Sequence, residues 1–344
     1  MRKVTALTAM VLLMGILAFS FAAADSERTA LRVIIVPKFE IGEITGDFPG
    51  EAQLFYDHYT PGLEETELPH LPKTAHLFVN EETGVAILVT GSGKSAAGIS
   101  LTVLLSSDRF DCSDAYIVSV GCSGGSPEVT TCGDIVLVTA ACDYDLGHQP
   151  DSSDLADPDY PVTWFPIEPL GDSGHKNFNP ELCETVYRMI RDCPLRTTEL
   201  TKKILAENFP DQDRTKEDPK VIKGTALTGD NFWKGKRDHL NAVYIAEYYG
   251  APDPFAVTEM EEIAIADAAD CFGMLDRVVS LRVVVNMDQF LGTEKAEELW
   301  GGKRGYSEKV SEANSETLDI FRPAMHNLFD AAGIVIDAIL AGDL

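Results

Sequence analysis

Short apolar runs rich in β-branched residues recur along this chain and alternate with helical patterns. Residues 31–36, 115–120 and 277–287 have the length and composition of buried strands, and residues 94–105 and 236–249 have helical periodicity. Strands that alternate with helices build a parallel or mixed sheet covered by helices. No internal repeat is visible, and no linker divides residues 25–344. We therefore predict an α/β fold in a single domain.

Acidic residues lie at the start of one helical pattern and at the end of the strand that follows it. Glu259 and Glu261 begin a helical pattern over residues 258–267, and the strand that follows ends at Asp288. Because ligands of open α/β sheets bind at the carboxyl ends of strands, we expect these carboxylates to share one site. One could hold hydroxyl groups while another handles a proton. The structural alternatives are acids favoured at a helix N-terminus and Asp288 as a helix cap.

A glycine-rich turn precedes the helical pattern that runs to residue 105. Its residues Ser92, Gly93 and Lys94 would offer backbone N–H groups and a positive helix end. Such a turn suits an anion, a nucleophile or a sugar oxygen. It lacks the spacing of a Walker loop. A tight turn without a ligand is the alternative.

The first 24 residues have the pattern of a signal peptide. Arg2 and Lys3 precede an apolar run over residues 7–21, and three alanines follow before Asp25. This pattern predicts export to the periplasm or cell exterior, and an uncleaved membrane tether is the alternative. No other stretch looks apolar for the roughly 20 residues that span a bilayer. We therefore expect no stable membrane insertion after removal of the signal, and no polytopic transporter.

Charge and cysteine content restrict partners further. The formal charge of −27 disfavours nucleic acid as a partner. The seven cysteines are an odd number, so at least one thiol is unpaired within the chain. None has metal-ligand spacing, and we expect no metal and no cofactor. Buried free thiols are the simplest expectation for the cysteines in apolar runs.

Four segments in order resemble the nucleoside phosphorylase and nucleosidase superfamily, and within it most closely the purine nucleoside permease family. They are residues 121–125 with 133–136, residues 228–232, residues 259–261 and residues 286–288. The resemblance covers most of residues 31–341. It implies a nucleoside phosphorylase-like fold, a twisted mixed central sheet with helices on both faces. It also implies a purine nucleoside at the strand ends and a homo-oligomer.

On the sugar side, the resemblance assigns binding roles to five residues. Ser123 and Gly124 would belong to a glycine-rich ribose loop. Met260 would pack on the sugar, and Glu261 would accept hydrogen bonds from ribose hydroxyls, with Glu259 beside it. Carboxylates suit this place because glycosidic cleavage builds positive charge on the sugar.

On the base side, the resemblance assigns three residues. Phe232 would stack on the purine, Trp233 would offer backbone contacts, and Asp288 would protonate the leaving base at N7. An acid suits this place because the departing base gains negative charge. Placement of Phe232 and Trp233 as core aromatics is the alternative.

The expected phosphate site departs from that of the phosphorylases. Ser119 stands roughly where these enzymes often carry an arginine. Lys38, Lys94 or Arg282 could replace that charge. Without it, hydrolysis by water is favoured over phosphorolysis, in which phosphate would be a co-substrate.

The residue that orients a nucleophilic water is sought after the first strand. Glu40 and Glu43 stand there, and Glu43 is our candidate. Two functions remain open at this point. The chain is an exported enzyme that cleaves purine nucleosides, or a non-catalytic nucleoside-binding component of an uptake system.

Overall fold

The computed structural model describes residues 28–157, 159–168, 173–291 and 306–344, with the side chains of Ser152 and residues 306–319 left aside. The predicted signal peptide, residues 1–24, lies outside the described residues. The described chain forms a single domain of mixed α/β architecture.

A mixed sheet of nine strands forms the centre of the domain. Its path is β10-β9-β7-β11-β6-β2-β4-β3, with β8 beside β7, while β1 and β5 form a separate parallel pair. Parallel and antiparallel neighbours both occur, for example β11 with β6 and β11 with β7. The mixed sheet expected from the sequence is confirmed. The strands are β1 Thr29–Ala30, β2 Val33–Val36, β3 His76–Asn80, β4 Val85–Val89, β5 Phe110–Asp111, β6 Tyr116–Gly125, β7 Ile135–Asp143, β8 His175–Asn177, β9 Val221–Thr228, β10 Phe255–Glu259 and β11 Val278–Met287.

Part of this sheet closes on itself. Strand β10 pairs with β9 in parallel and also with the end of β6 in antiparallel fashion. Strands β6, β11, β7, β9 and β10 therefore form a ring. At the closure Gly124 is opposite both Thr258 and Asn286. A Cβ atom on Gly124 would lie 3.0 Å from the Thr258 side chain and 3.3 Å from that of Asn286, so glycine permits this close approach.

Helices cover the sheet in two groups. Helix α7 packs on β11 and β6 and contacts α1 and α3, whereas α2 packs on α6, which lies against β7 and β9. Asn179 caps α3, as its sequence suggests, by accepting from the N–H groups of Glu181 and Leu182. The helices are α1 Gln53–Tyr59, α2 Lys94–Leu105, α3 Pro180–Ile190, α4 Glu199–Asn208, α5 Lys236–Tyr248, α6 Glu262–Cys271 and α7 Tyr306–Ala341.

Two local predictions were wrong, and both concern the ends of strands. Residues 258 and 259 end strand β10 rather than begin a helix, and α6 starts at Glu262. The glycine-rich residues 121–125 continue strand β6 instead of forming a turn. In both places pairing between strands overrides the local pattern.

The C-terminal helix corrects two further expectations. The sequence over residues 310–341 has helical periodicity, and Pro323 within it predicts a kink or two helices, but α7 is a single assigned helix with Pro323 inside. Within it, Ile320–Ala341 is long and apolar enough to cross a membrane by length and composition alone. Met325, Leu328 and Val335 on this stretch are buried in the domain core. Packing on the sheet accounts for its apolar character.

All seven cysteines are unpaired. The sequence required at least one free thiol, and the fold leaves every one of them free. Cys112, Cys132 and Cys142 are buried, as expected of thiols in apolar runs, and Cys183 is buried as well. For Cys271, which is exposed, that expectation was wrong, and Cys122 is only partly buried. Burial raises the pKa of the Cys132 and Cys142 thiols to about 12, so these thiols are inert at neutral pH.

Asn327 on α7 bonds two loops, at Gly133 and at Arg196, and its substitution tests how much these bonds stabilise the fold. Its buried amide donates to the carbonyls of Gly133 and Arg196 and accepts from the Arg196 N–H at 2.7 Å. Asn327→Ala leaves these groups without partners, so we expect the free energy of unfolding to fall by about 2–4 kcal/mol. Denaturant titration measures this, with Asn177→Ala on an exposed side chain as the control. Equal losses in the two variants would contradict the assignment.

Candidate functional site

A cavity of about 580 Å³ opens where strands β6, β10 and β11 end. Eight of the twelve residues proposed from the sequence line it, and four do not. The lining residues from that set are Ser92, Ser123, Gly124, Phe232, Trp233, Glu259, Met260 and Glu261. Glu43, Gly93, Lys94 and Asp288 lie outside the lining. Carboxylates, glycines and aromatic rings that are distant in sequence therefore share one cavity.

Arg282 is the central charge beneath this cavity. Its guanidinium is 1% exposed and lies 3.0 Å from Glu259, 2.8 Å from Glu262 and 3.5 Å from Glu261. It also lies against the backbone at Gly121, where a Cβ would be 2.6 Å from its Nη1 atom. A buried arginine is stable only when it is paired with carboxylates. Arg282 pairs with three, and two of them, Glu259 and Glu261, border the cavity.

The two acids predicted to bind substrate have different roles. Glu259 caps the start of α6. Its Oε2 accepts from the N–H groups of Glu261 and Glu262 at 2.7 Å each, and its Oε1 accepts from the Thr228 hydroxyl. The structural alternative thus describes Glu259 well. Glu261 keeps a weaker set of partners, the Gly93 N–H at 2.8 Å and Arg282 at 3.5 Å. Glu261 is therefore the more available acceptor for a ligand.

The pKa shifts of these acids follow from burial and from Arg282. Burial raises the pKa of Glu259 and of Glu261, and the Arg282 charge opposes this only in part. Burial also acts against ionisation of Glu262, but Arg282 and Lys38 outweigh it and lower the pKa of Glu262. Glu262, the acid whose pKa is lowered, does not border the cavity. Glu259 and Glu261, whose pKa values are raised, both border it.

Lys38, one of the possible phosphate ligands, is buried beside this cluster. Its ammonium donates to the Ser119 hydroxyl at 2.6 Å and to the carbonyls of Val36 and Val120 at 2.9 Å. Burial, and next the charge of Arg282, lower the pKa of Lys38. All three hydrogens of the ammonium are engaged within the protein.

The glycine-rich turn before α2 is also engaged with the protein itself. The Gly93 N–H bonds Glu261, and the Lys94 N–H bonds Asp230 at 2.7 Å. The Lys94 ammonium lies 2.9 Å from both Asp143 and Asp145. The anion site expected at Gly93 and Lys94 is therefore filled by carboxylates of the same chain, and only Ser92 of this turn borders the cavity.

The aromatic pair on the base side divides between two environments. Phe232 is 63% exposed at the cavity. The Trp233 ring is buried and stacks on Tyr144, with centroids 4.9 Å apart, so the core alternative holds for it although it borders the cavity. The Trp233 N–H already bonds the Asn231 carbonyl at 2.8 Å.

Asp288 is buried and does not line the cavity, although Asn286, two residues earlier, does. Its N–H donates to the Gly125 carbonyl, and its own carbonyl accepts from the Gly235 N–H. Its Oδ2 lies 2.7 Å from Nδ1 of His239 on α5, a residue that the sequence did not single out. Burial raises the pKa of Asp288, against the opposing influence of His239. Within the described residues this carboxylate pairs with His239; the segment that Asp288 would cap continues into residues outside the described ones, so the cap stays a prediction.

The structure brings a different glutamate to the cavity than the sequence suggested. Glu43 is exposed and borders a neighbouring cavity. Glu40 accepts from the N–H groups at the start of α1, including Gln53 at 2.6 Å. Glu51, eleven residues further on, is buried, lines the main cavity and accepts from the N–H groups of Lys38 and Cys122. The loop after β2 folds back to the end of that strand and so brings Glu51 to the cavity. The sequence signal for this residue was an isolated acid just before α1.

The family comparison agrees with this geometry. The sequence profile described as "Purine nucleoside permease (NUP)" matches residues 30–342. The chain belongs to the purine nucleoside permease family. The resemblance seen in four short segments thus extends over most of the chain.

Curated relatives of this family member carry two kinds of name. A 5'-methylthioadenosine/S-adenosylhomocysteine nucleosidase of Bacillus pumilus is 28% identical over 62% of this chain and 76% of that protein. A probable purine nucleoside permease of Schizosaccharomyces pombe is 23% identical over 52% of this chain and 55% of its own length. The purine nucleoside permease of Candida albicans is 27% identical over 43% of this chain, and the match spans only 39% of that protein.

Solved nucleosidases share the fold of this permease-family chain. The Neisseria meningitidis 5'-methylthioadenosine/S-adenosylhomocysteine nucleosidase, solved with methylthio-immucillin-A, has a TM-score of 0.53 and 14% identity, covering 89% of this chain and 99% of its own. The futalosine hydrolase of Helicobacter pylori has a TM-score of 0.53 and 13% identity, over 89% and 97%. The nucleoside phosphorylase-like fold predicted from the sequence is therefore confirmed.

Arg282 offers a test of the buried charge cluster. Arg282→Met leaves Glu259, Glu261 and Glu262 without their shared partner, so we expect the free energy of unfolding to fall by about 3–5 kcal/mol. Arg188→Met, at an exposed ion pair on α3, should change it by less than about 0.5 kcal/mol. Urea denaturation of the two variants measures the difference. A small loss at Arg282 would contradict its central role.

His239 offers a test by pH. Burial acts to lower its pKa, but the hydrogen bond and charge of Asp288 outweigh burial and raise it. A raised pKa in the folded state stabilises the fold below the unfolded value of about 6.5, and this contribution disappears as pH rises through the folded value. The stability difference between the wild type and His239→Gln should therefore shrink as pH rises above about 6.5. Urea titrations at a series of pH values measure this, and a constant difference would refute the assignment.

Proposed function

We propose that this protein is a purine nucleoside hydrolase that cleaves the N-glycosidic bond with water. The observation that carries the proposal is one cavity bordered by Glu51, Glu261 and Phe232, with Asp288 buried two residues after Asn286, which also borders it. Sugar, nucleophile and base each require a different chemical group, and these residues supply them. The names of the relatives and the shared nucleosidase fold support the same class of reaction.

Glu261 is assigned to the ribose. Its loosely held Oε2, 3.5 Å from Arg282, is available to accept from sugar hydroxyls. Met260 borders the cavity beside it and offers an apolar contact. A carboxylate near the sugar also stabilises the positive charge that develops as the bond breaks.

Glu51 is assigned to the water. Each of its two oxygens accepts one backbone N–H, and each keeps a second lone pair for a further donor. Water held there attacks C1' of the sugar, its oxygen joins C1', and a proton passes to the carboxylate. The electron pair of the broken bond goes to the purine, which takes a proton from Asp288.

Water rather than phosphate is proposed as the nucleophile because the candidate phosphate ligands are already engaged. Arg282 is held by three glutamates, Lys38 by three oxygens, and Lys94 by two aspartates. Recruiting any of them would leave buried acceptors or carboxylates uncompensated. No phosphate and no other cofactor enters this proposal.

A nucleoside-binding role without catalysis is the second candidate. It is favoured by one observation: Asp288 does not itself border the cavity, and its Oδ2 is bonded to His239. In that case the cavity binds nucleosides for a separate uptake system. Export through residues 1–24 is proposed for both functions, and assembly into a homo-oligomer stays a prediction.

Chromatography of nucleoside incubations separates these functions. We expect the purified protein without residues 1–24 to release free base and ribose from inosine or adenosine, at a rate independent of phosphate. A strict phosphate requirement would instead establish a phosphorylase. Saturable nucleoside binding with no base released would establish the receptor.

Two variants locate the chemistry. Asp288→Asn should lower kcat by about 10²–10⁴-fold because it removes the acid, and Glu51→Gln should lower it similarly because it removes the base. Asp114→Asn and Glu64→Gln, both at exposed positions, are the matched controls and should retain full activity. Thermal melting verifies that every variant is folded. Full activity in Asp288→Asn would refute its role.

A further inference from the structure

Two buried atoms without hydrogen-bond partners lie at opposite ends of the Asp288–His239 pair. They are Oδ1 of Asp288 and Nε2 of His239. The two side chains are joined through their other atoms, Oδ2 and Nδ1, at 2.7 Å. Buried polar atoms are normally satisfied. A hydrogen-bonded pair with one unpartnered polar atom at each end can carry a proton: Nε2 of His239 takes one up, and Oδ1 of Asp288 gives one away.

The outer end of the pair reaches the protein surface. Nε2 of His239 lies 3.4 Å from Oε1 of Glu128, a side chain that is about half exposed. Glu128 follows strand β6 and borders a surface cleft of about 360 Å³. The contact is not aligned as a hydrogen bond, but the exposed Glu128 side chain can rotate into one. His239 itself is 1% exposed, so Glu128 is its link to solvent.

The inner end lies next to the cavity wall. Asp288 follows Asn286, which borders the cavity, and its main chain is bonded to Gly125 and Gly235. Its carboxyl group is therefore held in place by backbone on one side and by His239 on the other. A buried acid in such a place cannot exchange its proton directly with solvent.

We propose that His239 is a positioning residue that orients Asp288 and replaces the proton that Asp288 gives to the leaving purine. This inference rests on the proposed hydrolase function. After Asp288 loses its proton, Nδ1 of His239 gives its proton to Oδ2 while Nε2 takes one from solvent through Glu128. Rotation of the Asp288 carboxyl group then carries this proton to the Oδ1 position. Rotation of the imidazole frees Nδ1, which takes up a proton from solvent while Nε2 releases one through Glu128, so the ring returns to its starting form with no net gain of protons.

The proton count of the reaction balances. The purine gains one proton from Asp288, and Asp288 regains one from solvent by way of His239. The nucleophilic water gives its oxygen to the sugar and returns one proton to solvent through Glu51. Each turnover thus consumes one water and no net proton.

The other groups around the pair are compatible with this path. Lys234 acts on Asp288 by charge, Asp238 is bonded to Tyr144 at 3.0 Å, and the Phe255 ring packs on His239 edge to face. The pKa of Asp288 is raised by burial, and that of His239 is raised because Asp288 outweighs burial. Both shifts favour retention of a proton by the pair.

A nucleoside that needs no protonation tests the proposal. In 7-methylinosine the methyl group already gives the base its positive charge, so cleavage bypasses Asp288 and its proton supply. We expect His239→Asn to lower kcat on inosine by about tenfold or more, with KM within about twofold. On 7-methylinosine the same variant should retain nearly full kcat.

Glu128→Gln, at the half-exposed outer end, keeps the test informative if every His239 variant unfolds. It should lower kcat on inosine to a smaller extent and spare 7-methylinosine. Glu64→Gln is the matched exposed control. Equal losses on both nucleosides, or no loss in either folded variant, would overturn the role of His239 while the wild-type activity still supports hydrolysis. Absence of base release from either nucleoside by the wild type would overturn both.

Discussion

The buried guanidinium of Arg282 is the interaction on which the rest of the site depends. It reaches from the middle of strand β11 to three glutamates that end β10 and begin α6. Without this charge, burial of so many acids would oppose folding. With it, the fold places Glu261 at the cavity in a state where its pKa is raised but its partners are few. Stability and the proposed recognition of the sugar are thus coupled through one side chain.

The strand pattern predicted much of the fold because apolar β-branched runs specify buried strands largely by themselves. The mixed sheet and the cap at Asn179 both follow from local sequence. Residues 121–125 and 258–259 did not, since their strand conformation comes from pairing with β11 and β9 and, at Gly124 and Thr258, with each other. The pairing of Gly124 with Thr258 joins segments over 130 residues apart, which no local pattern records.

The candidate site shows the same division. Residues with a recognisable segment around them, such as Ser123 and Glu261, lie at the cavity as the resemblance implies. Glu51 and His239 have no such signal. Glu51 reaches the cavity through a returning loop. His239 reaches Asp288 because α5 packs on β9 and β10 and starts just after Gly235, whose N–H bonds the Asp288 carbonyl. Lys94 was a reasonable anion ligand by sequence, but its aspartate partners lie about 50 residues away in the chain.

The ring of five strands has a consequence for how substrate preference can change. Backbone pairing through Gly124 fixes the separation of Thr258 and Asn286, so this wall of the cavity is rigid. The Phe232 side chain at the rim is largely exposed. Under the proposed function, exchange of rim side chains such as Phe232 would change which purine fits, while the wall proposed to hold the sugar stays the same.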